Sequence, residues 1–482
     1  MDDSVEAENR PLLVLTNRQP YSHRYTGDGI ESTRSEGGLV TALDSVLQTT
    51  GGEWVAWGSA AADFDPSVVS ADGELELPPD DPSYILERVE LDRRQVDDFY
   101  RGYSNQVLWP LFHSHIDRVN VEPTFWEGYR EVNARFTDEI VDRDTSQIWV
   151  HDYHFLLVPE MLTDRISGQS RIVSFVHIPW PPAEIFDICP HSEQLLEGVL
   201  ASDHIGFHTE SYRENFLRCV ERQFPASTVD RESGEIGHRS SETGTSTFVQ
   251  PVGIYPDEVA ARADSPSASA SWRALSNQHG LCETPIVVGV DRLDYTKGIT
   301  KRLDALASLW ERHPEYREAF VYVQKATKSR SDIDEYRDYQ HEVREQVHRL
   351  NDRFATDDWQ PIVYIDESLP YEDILGLYRH ADVGVVSSTR DGMNLVALEF
   401  VAASRGTESA LVVSEFAGAA ETLAPDALTV NPFDIEALGN AIVEAVTMPA
   451  PEKANRTATL QESVAGVSAG RWLEENLDRL LE

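Results

Sequence analysis

The sequence contains very little lysine. Its 482 residues include five lysines, so almost all of the 41 basic residues are arginine. Asp and Glu together number 83, which gives a formal net charge of −42. A field of this sign repels DNA, RNA and anionic membranes. We therefore expect small-molecule partners, and neither nucleic acid nor a membrane.

The acidity is spread along the chain and is not concentrated in one tail. In molar salt the Debye length falls to about 3 Å, so the repulsion between surface carboxylates becomes tolerable. Together with the replacement of lysine by arginine, this pattern predicts a halophilic protein, adapted to high intracellular salt. An ordinary acidic cytosolic enzyme is the alternative interpretation.

Cysteine is also scarce, since the chain has only Cys189, Cys219 and Cys282, with no CxxC pair. The odd number and wide spacing argue against a disulfide framework or a zinc knuckle. We expect three reduced thiols in a cytoplasmic protein. Residues 1–9 form an acidic tail without the features of a signal or transit peptide. No apolar run approaches the roughly 18 residues of a membrane span.

The chain does contain a repeated alternation of strand-like and helix-like segments. Amphipathic segments at 300–311, 333–352 and 371–380 predict helices. Nearly continuous apolar, β-branched runs predict parallel strands covered on both faces. There are nine such runs, at residues 12–17, 147–154, 171–179, 203–209, 285–291, 320–326, 361–366, 381–388 and 410–416. This βαβ alternation predicts an α/β fold with doubly wound sheets.

Two polar stretches divide the chain. Residues 226–246 predict an exposed excursion, and the similar stretch at 263–280 predicts a linker. We therefore expect an N-terminal domain at 10–255 and a C-terminal domain at 256–462. Ligands of such folds usually bind outside the carboxyl ends of the strands, so the expected site is a cleft between the two domains. The chain has no GxxxxGK[ST] or GxGxxG phosphate loop.

Polar residues collect where the predicted strands end. Arg18 follows the first strand, and Asp152 and His177 follow two others. Arg292 and Lys297 lie in one Gly-flanked turn just past a fourth strand. An arginine fork and a lysine point charge in one turn can clamp a diphosphate. This role explains why a chain so poor in lysine keeps one here.

Two predicted helix starts provide a second kind of anion site. Gly38 precedes one helix and residues 391–396 open another, so backbone N–H groups and the helix dipole can act on an anion there. Glu399 reaches back from the second helix, where a carboxylate commonly holds ribose hydroxyls. Lys328 and Arg330 with Arg18 can form a second anionic pocket, suited to a phosphate monoester.

Several of these residues also have a purely structural interpretation. Arg18 can simply pair with a surface carboxylate, because such pairs are common and weak. Trp57, Tyr100 and Trp109 can be core packing or a sugar-facing wall. The His-x-x-His pattern at 151–154 can bind a metal, but on a strand the side chains diverge and no carboxylate cluster follows. We expect no metal.

The chain contains, in this order, the motifs TNR, GGL, WG, SNQVLWPLFH, WVHDYH, VHIPWP, GFHT, DRLDYTKG, RDGMNLVALEF and EFAGA. Together they resemble the trehalose-6-phosphate synthases, glycosyltransferase family 20, over residues 10–480. The resemblance implies a GT-B fold, with two Rossmann-like domains facing a central cleft. It also implies that the last helix, within residues 463–482, crosses back to the N-terminal domain.

The resemblance further implies a reaction and a set of roles. Glucose would pass with retention from a nucleotide-glucose, usually UDP-glucose, to glucose 6-phosphate, giving α,α-trehalose 6-phosphate without a cofactor. The donor-binding residues would be Gly38, Arg292, Lys297, Asp391, Gly392, Met393, Asn394, Leu395, Val396 and Glu399. The acceptor-binding residues would be Arg18, Trp57, Tyr100, Trp109, Asp152 and Arg330. The catalytic residues would be Arg292, Lys297, Asp391, His177 and Asp152.

Other functions share parts of this pattern. A glucosylglycerol-phosphate synthase has the same fold and donor motifs but uses glycerol 3-phosphate. A non-catalytic sugar-phosphate sensor would be expected to lack Arg292, Lys297 or Asp391, and all three are present. A sugar-nucleotide epimerase of the same fold lacks an acceptor-phosphate pocket. The sequence does not separate UDP-, GDP- and ADP-glucose, and it leaves a homo-oligomer open.

Two segments depart from the family pattern. The segment between Arg18 and Gly38 is long and has no predicted fold. The stretch QKATKSR is more basic than usual, so Lys325 and Lys328 could strengthen phosphate binding or shift the choice of donor.

Overall fold

The computed structural model describes residues 11–35, 38–141, 143, 146–163, 165–166, 170–239, 241, 244–281, 284–424 and 426–481. The predicted tail at 1–9 and Cys282 lie outside these residues. The chain divides into two compact units: a first unit of Met1–Pro251 with Gly470–Glu482, and a second unit of Val252–Ala469. In the described ranges no helix is both long and apolar enough to span a membrane.

The first unit is built on a large, mostly parallel sheet. Its strands β1 to β12 are Leu12–Thr16, Tyr21–Thr26, Gly29–Arg34, Glu53–Trp57, Glu74–Leu77, Tyr84–Val89, Gln147–His151, Arg171–Val176, His204–Phe207, Thr228–Val229, Glu235–Gly237 and Thr245–Val249. Ten of them pair in the order β10-β11-β12-β9-β8-β7-β1-β4-β6-β5, while β2 and β3 form a separate hairpin. All pairs between β12 and β6 in this order are parallel, and the two edges are antiparallel.

The helices of the first unit include a long π-helix. Helices α1 to α8 are Gly38–Thr50, Arg93–Gln95, Trp109–Phe112, Pro123–Val141, Val158–Thr163, Ala183–Phe186, Ser192–Val199 and Glu210–Gln223. The π-helix Val96–Leu108 runs for 13 residues between α2 and α3, and 3₁₀ turns lie at Ile116–Arg118 and Tyr153–Phe155. Because π geometry is rare and often accompanies functional sites, this segment points to a function nearby.

The second unit has a fully parallel sheet in the order β15-β14-β13-β16-β17-β18. Its strands β13 to β18 are Ile286–Arg292, Val321–Thr327, Ile362–Ile365, Val383–Val386, Ala410–Ser414 and Leu428–Val430. Helices α9 to α17 are Pro256–Ala263, Pro266–His279, Ile299–Arg312, Asp334–Phe354, Tyr371–His380, Leu395–Ala403, Ala419–Leu423, Ile435–Thr447 and Ala450–Gly466, with 3₁₀ turns at Tyr295–Lys297 and Pro314–Tyr316. The final helix, α18, is Ala469–Leu481, and its Trp472 ring stacks on Trp149 at 5.1 Å.

All nine predicted parallel strands are present, and so are the three predicted helices. The predicted linker at 263–280 is wrong, because most of this stretch is the helix α10. The side chain of Ser265 caps its start by accepting a hydrogen bond from Ala268 N, and Gly280 ends it in the left-handed conformation. The predicted excursion at 226–246 contains the two short strands β10 and β11, which pair antiparallel at one side of the sheet.

Candidate active site

Arg18 lies two residues past β1, near the middle of the first sheet, and is exposed. The segment after it, for which the sequence predicted no fold, is largely the β2–β3 hairpin. A fully buried pair, Asp63 and Arg88, anchors this segment. Asp63 accepts a hydrogen bond from His23 N (2.8 Å), and Arg88 donates one to Gln19 Oε1 (2.7 Å). Buried polar contacts therefore hold the segment that follows Arg18.

Gly38 is the first residue of α1, also in the first unit. The predicted position of this glycine at a helix start is confirmed. Such a start presents backbone N–H groups and the positive end of the helix dipole.

The aromatic residues predicted for the acceptor side differ in burial. Trp57 ends β4 and packs on Tyr100 of the π-helix, with ring centroids 5.2 Å apart. Tyr100 also stacks on His154 at 6.1 Å. Both Trp57 and Tyr100 are partly exposed, whereas Trp109 is 6% exposed and packs on Tyr153 at 5.8 Å. Burial therefore favours core packing for Trp109 and an accessible wall for Trp57 and Tyr100.

Asp152 follows β7 in a conformation that non-glycine residues rarely adopt, with φ at +73°. Its N–H donates to the Phe175 carbonyl (2.8 Å), and its Oδ1 accepts from His177 N (3.2 Å). Positive φ values occur at five non-glycine positions in the described ranges, and Asp152, Arg330 and Asn394 are three of them. Because strained backbone persists at functional sites, this coincidence supports the candidate set.

Three histidines form a chain at the ends of neighbouring strands. His151 ends β7, while His177 and His208 follow β8 and β9. Nδ1 of His151 lies 3.0 Å from Nε2 of His177, and Nδ1 of His177 lies 3.2 Å from Nε2 of His208. Both ring nitrogens of His177 are therefore engaged by other rings. The sequence analysis missed this arrangement and the part of His208 in it.

Burial favours the neutral form of two of these rings, His151 and His177. It lowers the pKa of His151 to about 3. Burial, with repulsion from the two neighbouring histidines, lowers the pKa of His177 well below its usual 6.5. The described residues contain no group of three or more His, Cys, Asp or Glu side chains that could hold a metal ion. The two histidines of the pattern at 151–154 therefore have different contacts: His151 contacts His177, and His154 stacks on Tyr100.

The second unit gathers cations around one buried carboxylate, Asp294, which is 0% exposed. Burial alone would raise the pKa of Asp294, but the charges of Arg330, Arg292 and Lys297 outweigh it and the pKa is lowered. Arg292 ends β13, and Lys297 ends the 3₁₀ turn that follows. Gly298 then turns the chain into α11 at a φ of +65°. The predicted cationic turn is present.

Arg330 belongs to this cationic group of the second unit. Its NH1 donates to Asp294 Oδ2 (3.3 Å) and to the hydroxyl of Tyr336 (2.7 Å), and its side chain is 7% exposed. The two arginines predicted for one phosphate pocket, Arg18 and Arg330, are thus residues of different units. Lys325, also considered for phosphate binding, is 1% exposed and donates to Thr327 Oγ1 (2.6 Å).

Lys297 and Asp391 form an ion pair, with Nζ 2.6 Å from Oδ2. The same carboxylate oxygen accepts from Ser388 Oγ (3.0 Å) and from Asn394 Nδ2 (2.9 Å). Asn394 has a φ of +84° and caps α14, because its side chain accepts from Ala397 N (3.2 Å). The predicted donor loop is therefore organised around a carboxylate with three hydrogen-bond donors.

The remaining donor candidates lie along this loop and α14. Met393 is 4% exposed, and Leu395 and Val396 are partly exposed at the helix start. Glu399 lies further along α14 and accepts from the Tyr371 hydroxyl (3.2 Å). Burial raises the pKa of Glu399 to about 7. This carboxyl group is therefore poised to change its protonation when a ligand brings new hydrogen bonds.

Gly392 is in close contact with the next loop. A Cβ placed on Gly418 would lie 2.1 Å from the Gly392 carbonyl oxygen, so Gly418 must be a glycine for this approach. The sequence analysis missed Gly418, which lies within the EFAGA motif.

The fold places the chain in the GT-B class of glycosyltransferases. Solved structures with similarity over 98% of the chain include an alpha,alpha-trehalose-phosphate synthase (UDP-forming) from Burkholderia xenovorans in complex with glucose-6-phosphate. It is 30% identical, is fully covered and has a TM-score of 0.85. An E. coli structure bound with UDP-2-fluoro glucose is 31% identical, with 98% of this chain and 99% of that chain covered and a TM-score of 0.87.

The chain belongs to glycosyltransferase family 20, whose family model matches residues 10–482. It is 36% identical to alpha,alpha-trehalose-phosphate synthase [UDP-forming] 2 of Aspergillus niger, over 97% of this chain and 96% of that protein. It is 35% identical to the 56 kDa subunit of the corresponding Saccharomyces cerevisiae enzyme, over 97% and 94% of the two chains. The resemblance stated from the motifs is confirmed at the level of the family.

Proposed function

We propose that this chain transfers glucose from UDP-glucose to glucose 6-phosphate with retention, forming α,α-trehalose 6-phosphate and UDP. The observation that carries the proposal is the cationic turn of Arg292 and Lys297, tied to the Asp391 loop by the 2.6 Å ion pair. This turn matches the need of a departing nucleotide diphosphate for positive charge. The UDP-forming relatives named above support the choice of donor.

The proposed donor residues are the cationic turn, the loop at 391–396, Glu399 and Gly38. Arg292 and Lys297 neutralise the diphosphate as the bond to glucose breaks. Asp391 accepts hydrogen bonds from glucose hydroxyls, and Glu399 accepts them from the ribose. Backbone groups complete the donor set, at Gly38, Gly392, Met393, Asn394, Leu395 and Val396. The raised pKa of Glu399 supports its role, because two ribose hydroxyls would stabilise its ionised form.

The acceptor is recognised by Arg18, Trp57, Tyr100, Trp109, Asp152 and Arg330. The exposed guanidinium of Arg18 and that of Arg330 bind the phosphate of glucose 6-phosphate. The wall of Trp57 and Tyr100 suits the apolar face of a hexose, with Trp109 supporting it from the core. Asp152 accepts a hydrogen bond from an acceptor hydroxyl.

The chemistry proceeds on one face of the donor sugar. The acceptor oxygen bonds to the anomeric carbon on the side from which the phosphate departs, which retains the configuration. The proton of the acceptor hydroxyl passes to the leaving phosphate oxygen, so the step needs no protein base. The paired ring nitrogens of His177 agree with this, since they are engaged by His151 and His208. His177 then contacts the donor sugar through atoms other than its two ring nitrogens.

The test is nucleotide release in molar KCl. UDP-, GDP- and ADP-glucose are each paired with glucose 6-phosphate and with glycerol 3-phosphate. Release of UDP that depends on glucose 6-phosphate, with a non-reducing disaccharide phosphate formed, is the expected result. Release that depends only on glycerol 3-phosphate would move the function to a glucosylglycerol-phosphate synthase. Silence in every pairing, from folded protein, would make the chain a sugar-phosphate sensor.

The same proposal includes a high-salt cytoplasm and an osmolyte role for the product. The net charge of −42 supports it, because molar salt screens this repulsion. The two described cysteines, Cys189 and Cys219, are buried free thiols, as suits a reducing compartment. We expect thermal stability and activity to rise with KCl up to the molar range. A melting temperature that falls over this range would contradict the adaptation.

A further inference from the structure

Buried hydroxyl groups tie together the two loops that carry the candidate donor cation and carboxylate. Ser387 Oγ donates to the Gly298 carbonyl (3.1 Å), and Thr389 Oγ1 donates to the Thr296 carbonyl (3.1 Å). Thr389 N also donates to Thr296 O (2.8 Å). Ser387 is 0% exposed and Thr389 is 7% exposed. Hydrogen bonds to two backbone carbonyl groups of the turn after β13 therefore hold that turn against the loop after β16.

A fully buried arginine lies behind one of these hydroxyls. Arg302 Nε donates to Ser387 Oγ (2.9 Å), and NH1 reaches Asp291 Oδ2 (2.9 Å), Tyr322 OH (2.9 Å) and Gln324 Oε1 (3.1 Å). Because an arginine nitrogen can only donate, it occupies a lone pair of Ser387 and leaves the hydroxyl hydrogen for another acceptor. That acceptor is the Gly298 carbonyl, so Arg302 sets the direction of the contact.

Two glycines give this arrangement its room. A Cβ on Gly289 would lie 1.9 Å from Arg302 NH1, and a Cβ on Gly298 would lie 2.0 Å from the Ser387 carbonyl oxygen. Gly298 also needs its φ of +65°. The two loops are thus in direct backbone contact at the residue that follows Lys297.

We propose that Ser387, with Arg302 behind it, and Thr389 are positioning residues for the donor diphosphate. They fix the backbone from which Lys297 extends, and so they fix where its ammonium group meets Asp391 and the donor. The ion pair alone cannot do this, because a flexible lysine side chain follows its partner. The inference rests on the proposed donor role of Lys297, and its consequence is selective: donor binding depends on these hydroxyls and acceptor binding does not.

The test compares S387A and T389V with a matched buried control. Ser404 is 0% exposed, and its hydroxyl has no hydrogen-bond partner among the described residues, so S404A removes a buried hydroxyl without removing a tie. We expect S387A and T389V each to raise the KM for UDP-glucose and the Kd for UDP by about five- to twentyfold, the effect of one buried hydrogen bond. The acceptor KM should stay within about twofold, and S404A should match the wild type in all three constants.

K297A in the same series separates the two proposals. Full activity of K297A would remove the donor role of Lys297 itself. An impaired K297A, beside folded S387A and T389V that both keep the wild-type donor constants, would overturn only the positioning role. Equal increases in donor and acceptor KM would also overturn it, because a general loss of order is not selective. If S387A does not fold, T389V carries the test, since valine matches the shape of threonine.

Discussion

The two units hold their candidate residues by different kinds of contact. In the first unit, rings contact the candidates Tyr100 and His177, while the segment after Arg18 is anchored by the buried pair of Asp63 and Arg88. In the second unit they are fixed by charges, with Arg330 on buried Asp294 and Lys297 on Asp391. The ring contacts suit the hexose proposed to lie on Trp57 and Tyr100, and the charged contacts suit the diphosphate and phosphate groups proposed to bind Lys297 and Arg330.

The largest effect is expected when the second unit loses Lys297. K297A should lower kcat/KM for UDP-glucose by about a hundredfold or more, because a charge-assisted contact to the leaving group is lost. The loss of activity should far exceed the loss of stability, because Asp391 keeps Ser388 and Asn394 as hydrogen-bond donors. Steady-state kinetics with a thermal melt check both points. K301A is the matched control, since Lys301 lies over the Phe433 ring and outside the candidate set. A K297A enzyme as active as K301A would refute the diphosphate role.

The next effect belongs to the first unit. R18A should raise the KM for glucose 6-phosphate by about tenfold or more and leave the KM for UDP-glucose unchanged. R24A, at an exposed position of the β2–β3 hairpin, is the control for a lost surface charge. An unchanged acceptor KM in R18A would remove Arg18 from the acceptor set. A change in donor KM alone would move Arg18 to the donor set.

A smaller effect tests the buried carboxyl group of the second unit. The pKa of Glu399 is raised from 4.5 to about 7, so the folded protein binds a proton there that the unfolded chain has released. Stability contributed by this group is present below 4.5 and is lost as the pH rises towards 7. E399Q should therefore unfold at a similar denaturant concentration to the wild type at acidic pH and be more stable than it by about 3 kcal/mol above neutrality.

Denaturant titrations of both proteins at fixed KCl measure this difference. Because the subtraction removes the contribution of the other acidic residues, an equal stability difference at both pH values would show that the pKa of Glu399 is the same in the folded and unfolded states, which would contradict its raised pKa.

The last prediction is that two histidines of the first unit, His151 and His177, do not titrate near neutral pH. Burial lowers the pKa of both His151 and His177, so their rings should stay neutral from about pH 8 to pH 5. Each lowered pKa means that stability is lost as the pH falls below the unfolded value of 6.5. Nitrogen-15 NMR of the imidazoles, assigned with H151Q and H177Q, would follow them directly. A midpoint near 6.5 for either ring would contradict the neutral chain.

The strands were accessible from the sequence because buried parallel strands are nearly continuous apolar runs, as in β1 and β13. The helix α10 was missed because its Ser- and Ala-rich composition suggested a linker. Its caps, Ser265 and Gly280, were the available signal. The π-helix has no such signal in the sequence. In the structure, the side-chain amides of Asn105 and Gln106 donate to backbone carbonyls five residues earlier, at 2.7 and 3.1 Å.

The candidate site also has residues that the sequence revealed and residues that it did not. Arg292, Lys297 and the loop at 391–396 were found because they follow strand ends in motifs. The chain of His151, His177 and His208 required the order of β7, β8 and β9 in the sheet, which the sequence does not state. Arg302 was also missed, because an arginine in an amphipathic helix is normally assigned to the surface.

The most direct test of the central claim is the product formed from UDP-[1-¹³C]glucose and unlabelled glucose 6-phosphate in molar KCl, followed by NMR. We predict release of UDP together with a non-reducing disaccharide phosphate in which the labelled anomeric carbon is α-linked to the anomeric carbon of the acceptor. Labelled free glucose as the main product, a β-linked label, or no reaction by folded protein would contradict the account.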